Sequence, residues 1–525
     1  MVWPQGQVWA CQPNPRSVAQ TVQTALASTS ADAFLFWDVN LGEIPVLEIQ
    51  RLLQLPDDLW HAGLKLGLCG LPEMIDFVAP TWMLNRDPDE NRAAASWRVS
   101  LRACLVRSEV LRQVEFVDSH FETLDAAALE WGHRCFWRGV LCRYEPGLVA
   151  SKETKASLPL ADELRFVVQR FGRRWGRWAS MRAILSGNCS VFQMIRAWQA
   201  RTLDVSIQQF APYQRLNRQT SLATNAAVSV LIPTVDRYPY LRTLLEQLRH
   251  QTVPATEVII VDQTSASHRQ PELYADFPDL PLKLIYQNDA GQCSSRNAGL
   301  QASHGDYILF IDDDDEIPVD LIEKHLLNLQ GFDADASCGV AHEVGAGSLP
   351  ETFTYLRISD VFPTNNSMIR QSALQQTGLF DLAYDHGARA DADLGMRLYL
   401  SGARMILNPD IAVLHHHASR GGLRLHKARV ITYASSRRHI TESNLPSVSE
   451  LYLTMRYFTP YQTVEKLWLA ALGTFSLHGS RLRQMLKVIV GFVMLPSTIK
   501  QLRHRRNQAE ATLRVYPQFP DLRKA

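Results

Sequence analysis

No two of the eight cysteines (Cys11, Cys69, Cys104, Cys135, Cys142, Cys189, Cys293 and Cys338) stand in CxxC spacing, and none clusters with histidines. A zinc site built on such pairs is excluded, and reduced thiols in a cytoplasmic protein are the simplest expectation. The N-terminal MVWPQGQVWACQPNP lacks a basic segment followed by an apolar one, so no signal peptide is expected. Long uncharged apolar runs are missing too. The longest candidate, Val488 to Pro496, is far short of a membrane span. What remains is ordinary for core-forming protein: 46% hydrophobic and 20% charged residues, in 525 residues with room for two or three domains. The net charge of +1 hides an asymmetry. From Arg420 to Ala525 there are 18 Lys and Arg against 5 Asp and Glu, so the tail carries +13 and the rest −12. Such a tail is suited to an anionic surface.

The chain is organised around Tyr307 to Pro318, YILFIDDDDEIP. A buried-type strand ends abruptly in Asp312, Asp313, Asp314 and Asp315. Four adjacent carboxylates repel one another, so something cationic is expected among them. A strand that delivers Asp-x-Asp at its carboxyl end can hold a divalent cation, which in turn holds a diphosphate. The bland alternative is a solvated acidic loop.

Before this stretch, VSVLIPT (Val228 to Thr234) and EVIIVDQTS (Glu257 to Ser265) read as buried strands, and Leu282 to Gln287 as a shorter one. Tyr240 to Gln251 and Gly291 to Gly305 read as helices. The alternation means a parallel α/β sheet, whose ligands bind at the carboxyl ends of the strands. Pro233, Thr234, Asp262, Gln263 and Asp312 fall at those ends. After it, Val319 to Gln330 reads as a helix and Phe362 to Arg370 as a strand. Ala390 to Ser401 is a helix with Asp391 and Asp393 at its start. Arg404 to Leu414 is extended and delivers His415, His416 and His417. Successive strand residues alternate faces, so at most two of these histidines point the same way.

Asp312 and Asp314 with a histidine from the last strand make an O,O,N set for Mn²⁺ or Mg²⁺, with imidazole favouring Mn²⁺. The implied reaction is transfer from a nucleoside diphosphate ester. Arg296 adds positive charge to the diphosphate, Asp262 accepts from a base, and Asp391 is the general base for an attacking hydroxyl. A helix-start carboxylate such as Asp391 can equally serve backbone donors.

Together VSVLIPT, VIIVDQTS, GQCSSRNAGL, YILFIDDDD, ADADLGMRLYLSG and VLHHH make Val228 to His417 resemble the family 2 glycosyltransferases, inverting enzymes of GT-A fold. The resemblance implies a nucleotide-sugar donor and a glycan or lipid-linked acceptor, in cell-surface polysaccharide synthesis. It places Pro233, Thr234, Asp236, Asp262, Gln263, Arg296, Asp312 and Asp313 at the nucleotide and Asp391 as base. It places Asp312, Asp314 and His415 at the metal. Two positions depart from the family's pattern. Gln263 stands where a second Asp is common, and Ala390 replaces the acid that usually precedes the base.

The first 150 residues echo the later ones. Shifting FLFWDVNLGEIP by 274 places Asp38 on Asp312 and Asn40 on Asp314. A shift of 263 lays Arg107–Pro146 over Arg370–Pro409 with seven identities, including Arg107/Arg370, Asp118/Asp381, Arg134/Arg397 and Gly139/Gly402. This reads as a divergent duplication. The first copy lacks room for a nucleotide half and has Ala128 in place of the base. The expected organisation is a degenerate GT-A-like domain (1–150), a helical linker (151–222), a GT-A catalytic domain (223–422) and a helical basic tail (423–525). Within the linker, the tryptophans of RFGRRWGRWASMRAIL are expected to pack while its arginines stay solvated. In the tail, Ser480 to Arg506 suits a helix on an anionic membrane face or one packed on the body. A nucleic-acid partner is not expected. The competing readings are an inactive nucleotide- or sugar-binding protein and a nucleotidyltransferase. The latter would need a Gly-rich basic loop, which Pro233 to Tyr240 lacks.

Overall fold

The computed structural model describes residues 7–64, 66–67, 71–149, 158–199, 211–215, 226–416, 445–472, 480–518, 520 and 522. His417 and the expected end of the catalytic domain lie outside them.

Continuous apolar runs give the strands of a large sheet. These are β6 (Val228–Thr234), β7 (Glu257–Asp262), β8 (Leu282–Tyr286), β9 (Tyr307–Ile311), β10 (Asp315–Glu316), β11 (Ala336–Glu343), β12 (Arg357–Ile358), β13 (Asn366–Arg370) and β14 (Met405–His415). Their order is β10-β14-β11-β13-β9-β6-β7-β8, with β12 also on β14. β6 to β9 are mutually parallel, and β13 turns antiparallel beside β9. β6, β7 and β9 are almost wholly buried, as unalternating Val/Ile/Leu runs require.

A smaller sheet comes first: β1 (Ala33–Trp37), β2 (Leu59–His61), β3 (Ala94–Ala95), β4 (Ala103–Arg107) and β5 (Cys142–Tyr144), in the order β1-β4-β2-β5-β3. This is the order β9-β13-β11-β14-β12, and the registers coincide. Ala33 opposes Arg107 as Tyr307 opposes Arg370; Leu59 opposes Cys142 as Ala336 opposes Met405; Ala94 opposes Tyr144 as Arg357 opposes Leu407. Side chains repeat as well. Arg107 and Arg370 donate through Nε to the Asp57 and Ala334 carbonyls, 2.9 and 2.7 Å. Glu130–Arg134 and Asp393–Arg397 are buried ion pairs one helical turn long, both 2.9 Å. Among the described residues the small sheet has no counterpart of β6, β7 or β8.

The two units meet through matching elements. Gly139 (φ +90°) packs so closely that a Cβ would lie 2.5 Å from the Leu356 carbonyl, and Gly402 (φ +83°) so closely that a Cβ would lie 2.6 Å from that of Ala93. The same pairs of positions, offset by 263, thus touch in both directions, as in an isologous interface. Arg404 Nη2 also reaches Asp57 Oδ2 across the junction, at 2.7 Å and buried. Gly139→Ala and Gly402→Ala should each cost about 1–3 kcal/mol, from left-handed strain plus overlap with backbone. Gly187 (φ +77°) has nothing near a Cβ, so Gly187→Ala should cost less in urea unfolding. Equal losses at all three would remove the tight junction from the account.

Helices Leu160–Phe171, Arg173–Leu185 and Val191–Gln199 follow the small sheet. Here one expectation is corrected. Arg173, Arg174 and Arg177 are exposed, but Arg182 is buried in a 2.5 Å ion pair with Glu465 of the tail. Its guanidinium also lies over Phe77 and Trp468, a low-dielectric site that Arg tolerates only when paired. The tail helices are Val448–Tyr457, Pro460–Leu472 and Arg481–Val515.

Candidate active site

β6 and β7 end level, Thr234 opposite Asp262, and β9 ends beside them. Polar residues following three buried strands therefore open at one sheet edge. Thr234 is buried and donates through Oγ1 to Asp313 Oδ2 at 2.7 Å. Arg237 Nη1 donates to Asp313 Oδ1 at 2.9 Å and lies 3.0 Å from Asp314 Oδ1. On the other side, β10 pairs Asp315 with His415 of β14, so Nδ1 of that histidine donates to Asp315 Oδ1 at 2.8 Å. It also stands 3.8 Å from Asp314 Oδ1. Asp313, Asp314 and Asp315 are 2–3% exposed. Burial raises Asp313 to about 7 against the pull of Arg237, and burial likewise raises Asp315. Burial opposes the charge on His415, but the carboxylates, Asp315 first, raise it to about 9. The cations required by the acidic run are thus supplied by the chain itself.

Asp312 is the most open of the four acids, its side chain 30% exposed, and accepts from Arg296 Nη2 at 2.8 Å. Asp262 is fully buried and engaged: Tyr238 and Tyr274 hydroxyls donate to Oδ2 at 2.8 and 2.9 Å, and the Thr264 amide to Oδ1 at 2.9 Å. Both tyrosines occupy Oδ2, while Oδ1 accepts only the Thr264 amide among the described residues. Gln263 is buried and accepts the Gly291 amide at 2.7 Å, tying β7 to the helix Gln292–Ala302 that carries Arg296. Asp236 is exposed in the left-handed region (φ +56°), its amide donating to Thr264 Oγ1 at 2.9 Å. Pro233, half-buried, precedes Thr234.

The helix Ala390–Leu400 separates its two acids. Asp393 is fully buried, ion-paired with Arg397 at 2.9 Å and accepting from Tyr457 Oη at 2.6 Å. Asp391 is exposed and has no hydrogen bond among the described residues. It is not spent on capping the helix. The preceding Arg389 is left-handed (φ +83°) and held by Glu450 at 2.5 Å. Upstream in the same loop, Asp385 Oδ1 accepts the Cys293 and Ser294 amides at 2.8 Å. The Arg296 helix and the loop leading to Asp391 are therefore joined.

Among the described residues no three His, Cys, Asp or Glu side chains converge as a metal set. The expected ligands Asp312, Asp314 and His415 reach the same mouth but point elsewhere: to Arg296, to Arg237 and to Asp315. As placed, they do not hold a divalent ion.

Residues 229–390 match the family model described as Glycosyl transferase family 2. They are a glycosyl transferase family 2 domain. The chain is 38% identical over 120 residues to the glycosyltransferase-named EpsH of Bacillus subtilis (strain 168), covering 22% of this chain and 34% of that protein. It is 30% identical over 167 residues to "Uncharacterized glycosyltransferase YwdF" of the same organism, covering 29% and 62%. It is 26% identical over 200 residues to the poly(ribitol-phosphate) beta-N-acetylglucosaminyltransferase TarS of Staphylococcus aureus (strain Mu50), covering 35% and 34%. The matches thus span from a third to under two thirds of these relatives' length. Among solved structures, S. aureus TarS 1–349 in complex with UDP-GlcNAc aligns with a TM-score of 0.36 at 17% identity, covering 55% of this chain and 91% of that one. The mannosyltransferase PcManGT from Pyrobaculum calidifontis in complex with GDP-Man and Mn²⁺ aligns at 0.34 and 16%, covering 57% and 92%.

The family 2 domain match stops at Ala390, one residue before Asp391, and His415 lies beyond it. Arg237, Tyr238, Tyr274 and Asp385 were not among the residues expected in the site. Of these only Arg237 carried a signal, as the basic side chain nearest the end of β6 when the acidic run called for a cation. The others act across long separations that no local pattern records.

Proposed function

We propose that the chain is an inverting glycosyltransferase that moves a sugar from a nucleotide-sugar donor to a hydroxyl of a glycan or lipid-linked acceptor. Cell-surface polysaccharide synthesis is the process this reading favours. The single observation that carries it is Asp391: an acid directly after the family 2 match that is exposed and unspent, while its neighbour Asp393 is buried and paired. In the proposed step Asp391 takes the proton of the acceptor hydroxyl. The hydroxyl oxygen bonds to the anomeric carbon from the face opposite the diphosphate, and the bond to the phosphate oxygen breaks, inverting the centre. Arg296 and Arg237 stand where charge on the departing diphosphate would collect.

A divalent ion, Mn²⁺ or Mg²⁺, is proposed with Asp312, Asp314 and His415 as its ligands once these turn from their present partners. It would supply further charge neutralisation. Residues 1–150 are proposed as an inactive GT-A-like unit, since Ala128 and Asn40 stand in the places of Asp391 and Asp314. The linker, catalytic and tail regions are proposed with the boundaries given above, at the cytoplasmic face of a membrane.

Nucleotide release from UDP-, GDP- and CMP-sugars in the presence of glycan acceptors tests the reaction, with NMR of the anomeric proton for inversion. One donor should be turned over with inversion. Turnover with retention would overturn the inverting step, and no turnover of any donor would favour the second reading, a binding protein of the same fold. Ala390 and the internally paired acids are the observations on its side.

A further inference from the structure

The helix Arg481–Val515 is inside out. At 3.6 residues per turn, Lys487, Gly491, Thr498, Leu502 and Ala509 share one face, and these are its buried residues. The opposite face carries Leu482, Met485, Leu486, Ile489, Phe492 and Val493, 42–77% exposed. A helix of a water-soluble body does the reverse and turns its apolar stripe to the core. Past Pro496 the outward face continues as exposed Lys500, Arg503 and His504, and Arg481 and Arg483 are exposed at its start. From Arg481 to Ala509 there are seven Lys and Arg and no Asp or Glu.

An apolar strip bounded at both ends by cations alone is complementary to anionic lipid headgroups. A second copy is a poor occupant, because its strip carries the same charge. By length and composition the helix is long and apolar enough to cross a membrane, against the expectation from sequence. Two features favour lying in the plane instead. Pro496 breaks the apolar stretch, and Lys500 and Arg503 share the strip's own face.

The helix is also linked to the site. Arg505 Nη1 donates to the Leu445 and Pro446 carbonyls at 2.9 and 2.8 Å, just ahead of the helix Val448–Tyr457. That helix holds Arg389 through Glu450 and Asp393 through Tyr457, on either side of Asp391.

We propose that this strip docks the protein on an anionic bilayer, the helix lying among the headgroups, so that the Asp391 side meets an acceptor anchored in the same membrane. Docking stands without the transferase reading; the acceptor clause rests on it.

The test is sedimentation of the full chain with phosphatidylcholine vesicles, with and without phosphatidylglycerol, at low and high salt. Two double variants go alongside: Ile489→Asp with Phe492→Asp, and Lys500→Glu with Arg503→Glu. All four residues are exposed, and an unchanged urea midpoint in each double variant checks that the fold survives. The wild type should sediment only with the phosphatidylglycerol vesicles, and each double variant should lower the partition about tenfold or more. Nucleotide affinity should stay unchanged in both variants, which separates a docking failure from a failure of the donor site. No sedimentation with anionic vesicles would overturn the proposal. So would full binding by the aspartate variant, which would mean adsorption by charge alone. A concentration-dependent dimer abolished by Phe492→Asp would overturn it too, by assigning the strip to a second copy.

Discussion

Asp391→Asn lowers turnover about 10²–10⁴-fold, the usual contribution of a general base, and leaves nucleotide affinity and the unfolding midpoint where they were. The carboxylate holds nothing in place: it is exposed, makes no hydrogen bond among the described residues and leaves the helix start uncapped. An amide of the same shape therefore removes a proton acceptor and little else. Asp393→Asn, two residues on, is the internal contrast. It breaks a fully buried pair with Arg397 and leaves a guanidinium without its counter-charge, at about 3–5 kcal/mol. Kinetics and urea unfolding on both variants give opposite signatures, activity without stability at 391 and stability at 393. Unchanged turnover in Asp391→Asn would return that residue to a solvated helix start.

Arg237→Met should destabilise the fold as strongly as Asp393→Asn, by about 3–5 kcal/mol. Its guanidinium lies within 3.0 Å of both Asp313 and Asp314, which are 3% and 2% exposed. Methionine keeps the aliphatic volume and removes the charge, so Asp313 and Asp314, packed out of water, are left with the Thr234 hydroxyl and the more distant His415. If a divalent cation serves the same carboxylates, Mn²⁺ should restore part of the lost stability in Arg237→Met and do less for the wild type. Urea midpoints with and without Mn²⁺ read this directly. A loss below about 1 kcal/mol, the level of a surface ion pair, would mean the carboxylates are relieved in some other way.

What could be read from the sequence was whatever local pattern dictates. β6, β7 and β9 are unbroken apolar runs ending in a polar residue, and their ends locate the sheet edge where Thr234, Asp262 and Asp312 gather. The constant offsets of 274 and 263 were legible as a divergent duplication, and they fall on strand pairs of the two sheets whose registers match. β11 was passed over because ASCGVAHE is weakly apolar and interrupted by Gly339, a glycine needed there because Asn366 packs against it. The state of Asp262 was hidden as well. A strand-end acid looks open until Tyr238 and Tyr274, 24 and 12 residues away, are seen to close over it. The tail's apolar middle was visible, but not that Lys487 and Gly491 would face inward and Phe492 outward. Which face is buried depends on the neighbouring helices and not on the composition of the helix itself.

The carboxyl edge of β6, β7 and β9 is proposed as the nucleotide-sugar site. Calorimetric titration of UDP, GDP and CMP, with and without Mn²⁺, into the wild type and Asp314→Ala tests it most directly. One nucleotide should bind, more tightly with Mn²⁺, and Asp314→Ala should lose the metal-dependent part while remaining folded. No binding of any nucleotide under any condition would contradict it and leave the four aspartates as a self-neutralised structural cluster.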